Sequence, residues 1–222
     1  MIINIQNGNS WNVDKYPDTC PYCHVKINPR AYGGIVSPSG ILNVLFVCPN
    51  DKCNLSFLAF YEFNSNNGYF RRTTFGTPKS KYFSEIINEI SQKFIKIYQE
   101  AYFAEQQNLL EISGIGYRKS LEFLIKDFCI TNNRAEEKTI QSTPLMQVIN
   151  KYVDDVRIRE VAKRAVWLGN DETHYVRLWS DKDVQNLKTT IDLVVHWIEA
   201  EEMTKNILKE MPEPIKHLKE KN

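Results

Sequence analysis

Net charge is what this chain has least of. Its 28 Lys and Arg residues face 27 Asp and Glu, leaving +1 at pH 7, so the totals make no global electrostatic case for nucleic acid. The balance hardly shifts along the chain. Six basic and four acidic residues precede Pro78, and 22 basic and 23 acidic residues follow it. Long apolar runs are missing too: no stretch approaches the roughly 18 residues of a membrane span. The opening MIINIQNGNSW has no basic region followed by an apolar core, which predicts no secretion signal, no membrane and a cytoplasmic protein. No third glycine follows Gly114 and Gly116, and no strand-like run precedes them, which excludes a phosphate loop. What remains, 42% hydrophobic and 25% charged over 222 residues, is the composition of an ordinary globular protein.

An even cysteine count is also missing. Five cysteines without an export signal argue against a disulfide framework. Four of them form CPYC (Cys20, Cys23) and CPNDKC (Cys48, Cys53), separated by 24 residues. A Cys-x2-Cys turn aims two thiolates at one point, and the second pair, spaced Cys-x4-Cys, completes a tetrahedron around zinc. Proline after the first cysteine of each pair, with Asn and Asp in the second loop, suits a tight turn. Strand-like runs lead into and out of the second turn: ILNVLFV (41–47), LSFLAFYEF (55–63) and, after an Asn-Asn-Gly turn, YFRRTTF (69–75). The pattern predicts a zinc ribbon over residues 1–78 with one structural zinc ion, because four thiolates leave no open position for water. His24 adjoins Cys23, but the four cysteines already fill the site. Arg71 and Arg72, with Tyr69, Phe70 and Phe75 nearby, read as a charged edge strand protected from aggregation. Two arginines are too few for a phosphate-binding surface.

From Phe83 onward the apolar period changes from two to about 3.6. Ile86, Ile90, Phe94 and Ile97 mark one face of a first helix, N-capped by Ser84 and running, whole or broken, to about Glu111. SGIGYRKSLEFLIKDFCI follows, with Tyr117, Leu121, Leu124 and Phe128 as its stripe and Cys129 as a core residue. Its glycines let two helices pack closely or reset the helix start. Residues 131–143 are polar and read as a loop, followed by a short helix in PLMQVINKYV. VRIREVAKRAVWLGN is the next helix, with Gly169 and Asn170 where a helix ends or kinks. A last long helix is expected behind Ser180 as N-cap, striped by Leu187, Ile191, Val194 and Ile198 and ended by Pro212 and Pro214. Arg118 and Glu122, four apart, form an intrahelical ion pair. The whole is an α+β chain, a small β zinc ribbon followed by an all-α bundle over 79–222.

The helical part resembles a known family. Glu100-Ala101, YRKSLEFLIK (117–126) and RAVWLGNDETH (164–174), followed by SDKD and a long helix, look like the bacterial domain-of-unknown-function family 4145 over about residues 82–210. Members of that family often carry an N-terminal zinc ribbon or are fused to phage-defence proteins. The family is grouped with the HEPN superfamily of small helical bundles, many of which dimerise and several of which are metal-independent ribonucleases. The resemblance therefore implies a HEPN-like bundle, a homodimer formed through it, and a place in bacterial antiphage defence.

It also implies where an active site would lie. The HEPN ribonuclease motif is an arginine, often followed by a polar residue, with a histidine four to six residues on. Aligned on His174 and Asn170, the arginine position falls on Gly169. The histidine would serve as general acid or base and the arginine would hold the phosphate; glycine does neither. Arg164 lies ten residues before His174, about 15 Å along a continuous helix. Arg177, Arg118 from a neighbouring helix, or an arginine of a second copy are the other candidates. The expectation is a non-catalytic interaction or sensor module that binds RNA, DNA or a protein partner. The alternative is a metal-independent ribonuclease with a rearranged site built on His174, Asn170 and Arg164 or Arg118. His174 is otherwise a locally bonded histidine at a helix junction. His196 and His217 have no partners identifiable from sequence.

Overall fold

In the computed structural model, residues 2–4, 10–64, 67–171, 175–176, 178–179 and 181–212 are described. The chain divides into two compact units, Met1–Lys79 and Ser80–Asn222. The first is built on strand alternation. β4 (Ile41–Val47) and β5 (Ser56–Asn64) pair antiparallel, with Leu42 opposite Tyr61, Val44 opposite Ala59 and Phe46 opposite Phe57. All six are buried, because residues two apart on paired strands share one face. β1 (Ile2–Asn4), β2 (Ser10–Val13), β3 (Arg30–Val36) and β6 (Asn67–Thr73) complete a six-stranded sheet in the order β1-β2-β6-β5-β4-β3. Every pairing is antiparallel except β2 with β6. Ile3 and Val13 close the core around Leu42 and Tyr61.

This is a larger sheet than a small ribbon. β3, with Gly33 and Gly34 in its middle, and the short β1 and β2 carry little apolar alternation, which hides them in the sequence. β6 is an edge only in part: Asn67 and Gly68 pair with β2, and beyond them one side of the strand has no pairing partner among the described residues. There Arg71 bonds Glu62, and Arg72 lies over the ring of Phe60. The two arginines are engaged with the sheet that carries them.

Among its described residues the second unit has seven α-helices. Ser84 caps α1 (Glu85–Ile90) by accepting from the Ile87 N–H. The first helix, expected to run whole or broken to about residue 111, is interrupted twice. Ser91, buried, accepts from the Phe94 N–H and donates to Asp127, starting α2 (Gln92–Gln106). Asn108, with φ of 59°, turns the chain into α3 (Leu110–Asn132). α3 therefore begins ahead of its glycines, and the glycines serve packing: a Cβ on Gly116 would stand 2.8 Å from the Ala101 Cβ of α2. The polar stretch expected as a loop is a short 3-10 turn, Arg134–Glu136, and α4 (Glu137–Ser142). With only Ile140 buried on it, α4 presents no apolar period to read.

α5 (Leu145–Tyr152) and α6 (Val156–Asp171) follow. α6 runs through Gly169 and Asn170 to Asp171 instead of ending or kinking at them. Ser180 lies outside the described residues. The N-cap of α7 (Val184–Glu210) is Asp183, which accepts from the Gln185 and Asn186 N–H groups while the Asn186 side chain bonds back to the cap. This is a capping box. α7 ends at Glu210, two residues before Pro212; Pro214 and His217 lie outside the described residues. The expected stripe of α7, Leu187, Ile191, Val194 and Ile198, is fully buried. It packs in one core with Leu121, Leu124, Phe128 and Cys129 of α3 and the ring cluster of Phe83, Phe94, Tyr98 and Tyr117. His196 is on the exposed side of α7. No helix among the described residues is long and apolar enough to cross a membrane.

Candidate metal centre and helical site

The two cysteine turns are built alike. In the first, Cys20 N–H donates to the Val25 carbonyl at 3.1 Å; in the second, Cys48 N–H donates to that of Leu55 at 3.0 Å. In both, the acceptor lies two residues past the closing cysteine. His24 and Asn54, each directly after that cysteine, have φ of 58° and 48°. This left-handed step, which Asn and His tolerate better than most residues, folds the chain back behind the sulfurs. Downstream of β6 the strap at Gly76 passes against the Pro21 carbonyl so closely that a Cβ would not fit.

The four Sγ atoms of Cys20, Cys23, Cys48 and Cys53 lie within 4.8 Å of one another. Cys20 to Cys53 and Cys23 to Cys48 are each 3.8 Å, far beyond a bond of about 2.05 Å. A tetrahedron with metal–sulfur bonds of about 2.3 Å has sulfur–sulfur edges of about 3.8 Å. The residues thus fit one tetrahedral ion of the zinc class. The Tyr22 N–H reaches the Cys20 sulfur at 3.4 Å and the Asn50 amide reaches the Cys23 sulfur at 3.6 Å, donors that favour thiolate. The thiols are unequal. The Val25 N–H brings Cys23 down to about 7, whereas burial pushes Cys48 up to about 12 and raises Cys20. His24 is not one of the cluster, and its Nε2 is buried without a hydrogen-bond partner among the described residues. When bound, a metal here supplies charge neutralisation for four thiolates and a crosslink between two turns 24 residues apart.

In the helical unit, two of the candidate residues meet. Arg118 on α3 donates from Nε to the Asn170 Oδ1 of α6 at 3.0 Å and from Nη1 to Glu122 at 3.1 Å. Glu122 also takes Lys126 at 3.0 Å. Burial raises the Glu122 carboxyl, but bonds from Lys126 and Arg118 outweigh it and hold the group below its ordinary value. Gly169 makes the approach possible, since a Cβ there would stand 2.8 Å from the Arg118 Cβ. In the motif alignment that position reads as a lost arginine; in the fold it is the slot that receives one from α3.

Arg164 goes elsewhere. Its Nη1 bonds the Glu160 carbonyl at 2.8 Å and carboxylate at 3.1 Å, and its guanidinium lies 5.8 Å from the Trp167 ring centre. Six residues at 3.6 per turn place it roughly 120° around α6 from Asn170. His174 and Arg177 lie outside the described residues. In the sheet unit, sequence reasoning passed over Lys15, Tyr16 and Ile27, which line a cavity there and whose only common signal is nearness to the first cysteine turn. Neither the family models nor the curated proteins nor the solved structures compared with this chain match it.

Proposed function

We propose that the protein is a non-catalytic interaction or sensor module, a zinc-loaded sheet unit joined to a HEPN-like helical bundle. Its partner is nucleic acid or protein, in bacterial antiphage defence, and it dimerises through the bundle. The observation that carries the non-catalytic reading is the engagement of Arg118, whose charge is spent on Glu122 and whose Nε is taken by Asn170. A phosphate-binding arginine needs that charge free for the transition state. The metal centre supports the same reading, because four thiolates complete a tetrahedron and leave no position for a substrate. Support for self-association comes from Met203 and Ile207 on the last turns of α7 and Met211 just past its end, spaced four apart and all exposed. Light scattering of the purified protein should give the mass of two chains; a single-chain mass removes the dimer.

One contact favours a second reading, a metal-independent ribonuclease. Arg118 stands beside Asn170, four residues ahead of His174. The experiment that decides is incubation of total tRNA and a mixed single-stranded RNA with the protein in EDTA, beside His174→Ala. The expected result is no cleavage by either folded protein. Cleavage by the wild type that disappears in His174→Ala establishes the ribonuclease instead.

A further inference from the structure

The two legs of the first cysteine turn wall a cavity of about 670 Å³ together with β1 and β6. Tyr16, Pro17 and Ile27 of the legs, with Ile2 of β1 and Phe70 of β6, give it an apolar lining. These walls are held from behind. The Ile27 N–H donates to the Asp18 carbonyl at 2.9 Å, which clamps the legs together, and the Tyr16 hydroxyl donates to the Ile2 carbonyl at 2.8 Å. The Tyr16 ring packs on Phe46 and the Phe70 ring on Tyr61, both fully buried. Polar groups in the lining are few. Asp18 is taken by Lys26 at 2.6 Å. Lys15 lies 5.2 Å from the Phe70 ring centre and has no carboxylate within ion-pair distance among the described residues. The exposed Asn28 amide likewise has no hydrogen bond among them.

An apolar lining beside one acid-free ammonium and one free amide selects for a ligand with an apolar body and a monovalent anionic head. A cationic ligand meets Lys15, and the carboxylate that could hold it is already paired with Lys26. A sugar or other polyol finds too few hydrogen-bonding partners on Ile2, Pro17 and Ile27 to replace its water. A phosphate brings up to two charges to a single ammonium, with Asp18 in the same wall. A carboxylate matches: Lys15 supplies a charge-assisted bond and the Asn28 amide a second donor, while the body leaves water for the rings of Tyr16 and Phe70. The volume lies within the roughly 300–1,000 Å³ of small-ligand cavities. We infer that this cavity binds an aliphatic or aromatic carboxylate, with its head at Lys15 and its body against Tyr16, Ile27 and Phe70. The inference goes beyond the interaction-module reading, uses no part of the bundle, and rests on that reading only for the metal that braces the cysteine turn. The acid is either free or the C-terminus of a peptide ending in an apolar residue, since both present the same head and body.

Calorimetric titration of the full chain decides it. The titrants are octanoate, phenylpropionate, the carboxamide of each, and an acetylated peptide ending in leucine with its C-terminus either free or amidated. At least one carboxylate should bind, with its carboxamide about tenfold weaker or more for want of the charge-assisted bond. Lys15→Gln, at an exposed position, should weaken the carboxylate about tenfold, remove the salt dependence of its binding and leave the carboxamide unchanged. Ile2→Asn, at a position 59% exposed, should weaken acid and amide alike severalfold. Circular dichroism confirms that both variants are folded. A peptide acid that binds about tenfold tighter than the free acids identifies a chain end as the source; equal or weaker binding identifies a free acid, and either supports the site. No binding of any carboxylate up to about 5 mM overturns it. So does binding that the carboxamide matches, or that neither variant alters. Zinc is measured in the sample and supplied before titration if absent, so a missing native metal sinks only the metal-loaded reading and missing binding sinks only the cavity. RNA cleavage lost in His174→Ala, by contrast, sinks the non-catalytic reading and leaves the cavity untouched.

Discussion

Glu105, near the end of α2, accepts more hydrogen bonds than its place on the sequence would suggest. Lys188 of α7 reaches both carboxylate oxygens at 2.9 Å, Gln185 reaches one at 2.6 Å, and the Tyr117 hydroxyl of α3 donates as well. Lys188 also lies over the rings of Tyr102 and Tyr117, at 5.0 and 5.7 Å. Burial raises the carboxyl, yet bonds from Tyr117, Lys188 and Gln185 together hold it below its ordinary 4.5. A carboxyl with a lower pKa folded than unfolded stabilises the fold above the unfolded value and loses that contribution as pH falls through it. Glu105→Gln should therefore cost about 1–3 kcal/mol at pH 7. It should also flatten the loss of stability below about pH 4.5 that the wild type shows. Urea unfolding at a series of pH values checks both, and an unchanged acid limb in the variant would show that other carboxyls carry it.

Elements here are set by glycines at close approaches. Gly116 lets α2 and α3 meet at Ala101, and Gly169 lets α6 receive Arg118. Gly169→Ala tests the second contact against a competing effect. In a free helix interior alanine is favoured over glycine by about 1 kcal/mol. Here the new methyl meets the Cβ of Arg118, which is backbone-anchored and cannot swing away, so overpacking of about 1–3 kcal/mol should win. The expected outcome is a lower melting temperature than wild type. A higher one would mean that α3 and α6 separate freely and that Arg118 is not fixed at Asn170.

For the whole molecule, each unit has its own buried core, one around Leu42, Phe46 and Tyr61, the other around Tyr98, Leu124 and Ile191. The sheet core is the smaller, and a metal ion held by Cys20, Cys23, Cys48 and Cys53 would crosslink the turns beside it. Purified protein should carry one zinc per chain by elemental analysis. A strong chelator should then expose residues up to about 79 to proteolysis while helical dichroism at 222 nm persists. Protein without bound metal, or a bundle that melts on chelation, would contradict this division of stability.

Local patterns alone were enough to specify several features of this protein. The four clustered cysteines are legible because metal ligation demands fixed spacing within each turn. β4, β5 and the buried stripe of α7 are legible because burial of one face imposes a period on consecutive residues. Ser84 was readable as a cap, whereas Asp183 was not, because Ser180 offers the same chemistry three residues earlier and only the chain path chooses between them. The order of the six strands, the pairing of β2 with β6 and the existence of β3 were decided by tertiary structure, since glycine-rich and short strands acquire their partners from distant residues. Asn170 and Arg118, 52 positions apart, were both on view in the sequence. Their meeting across α3 and α6 depends on how helices cross. Helix crossing is fixed by the shape of side chains that are far apart along the chain.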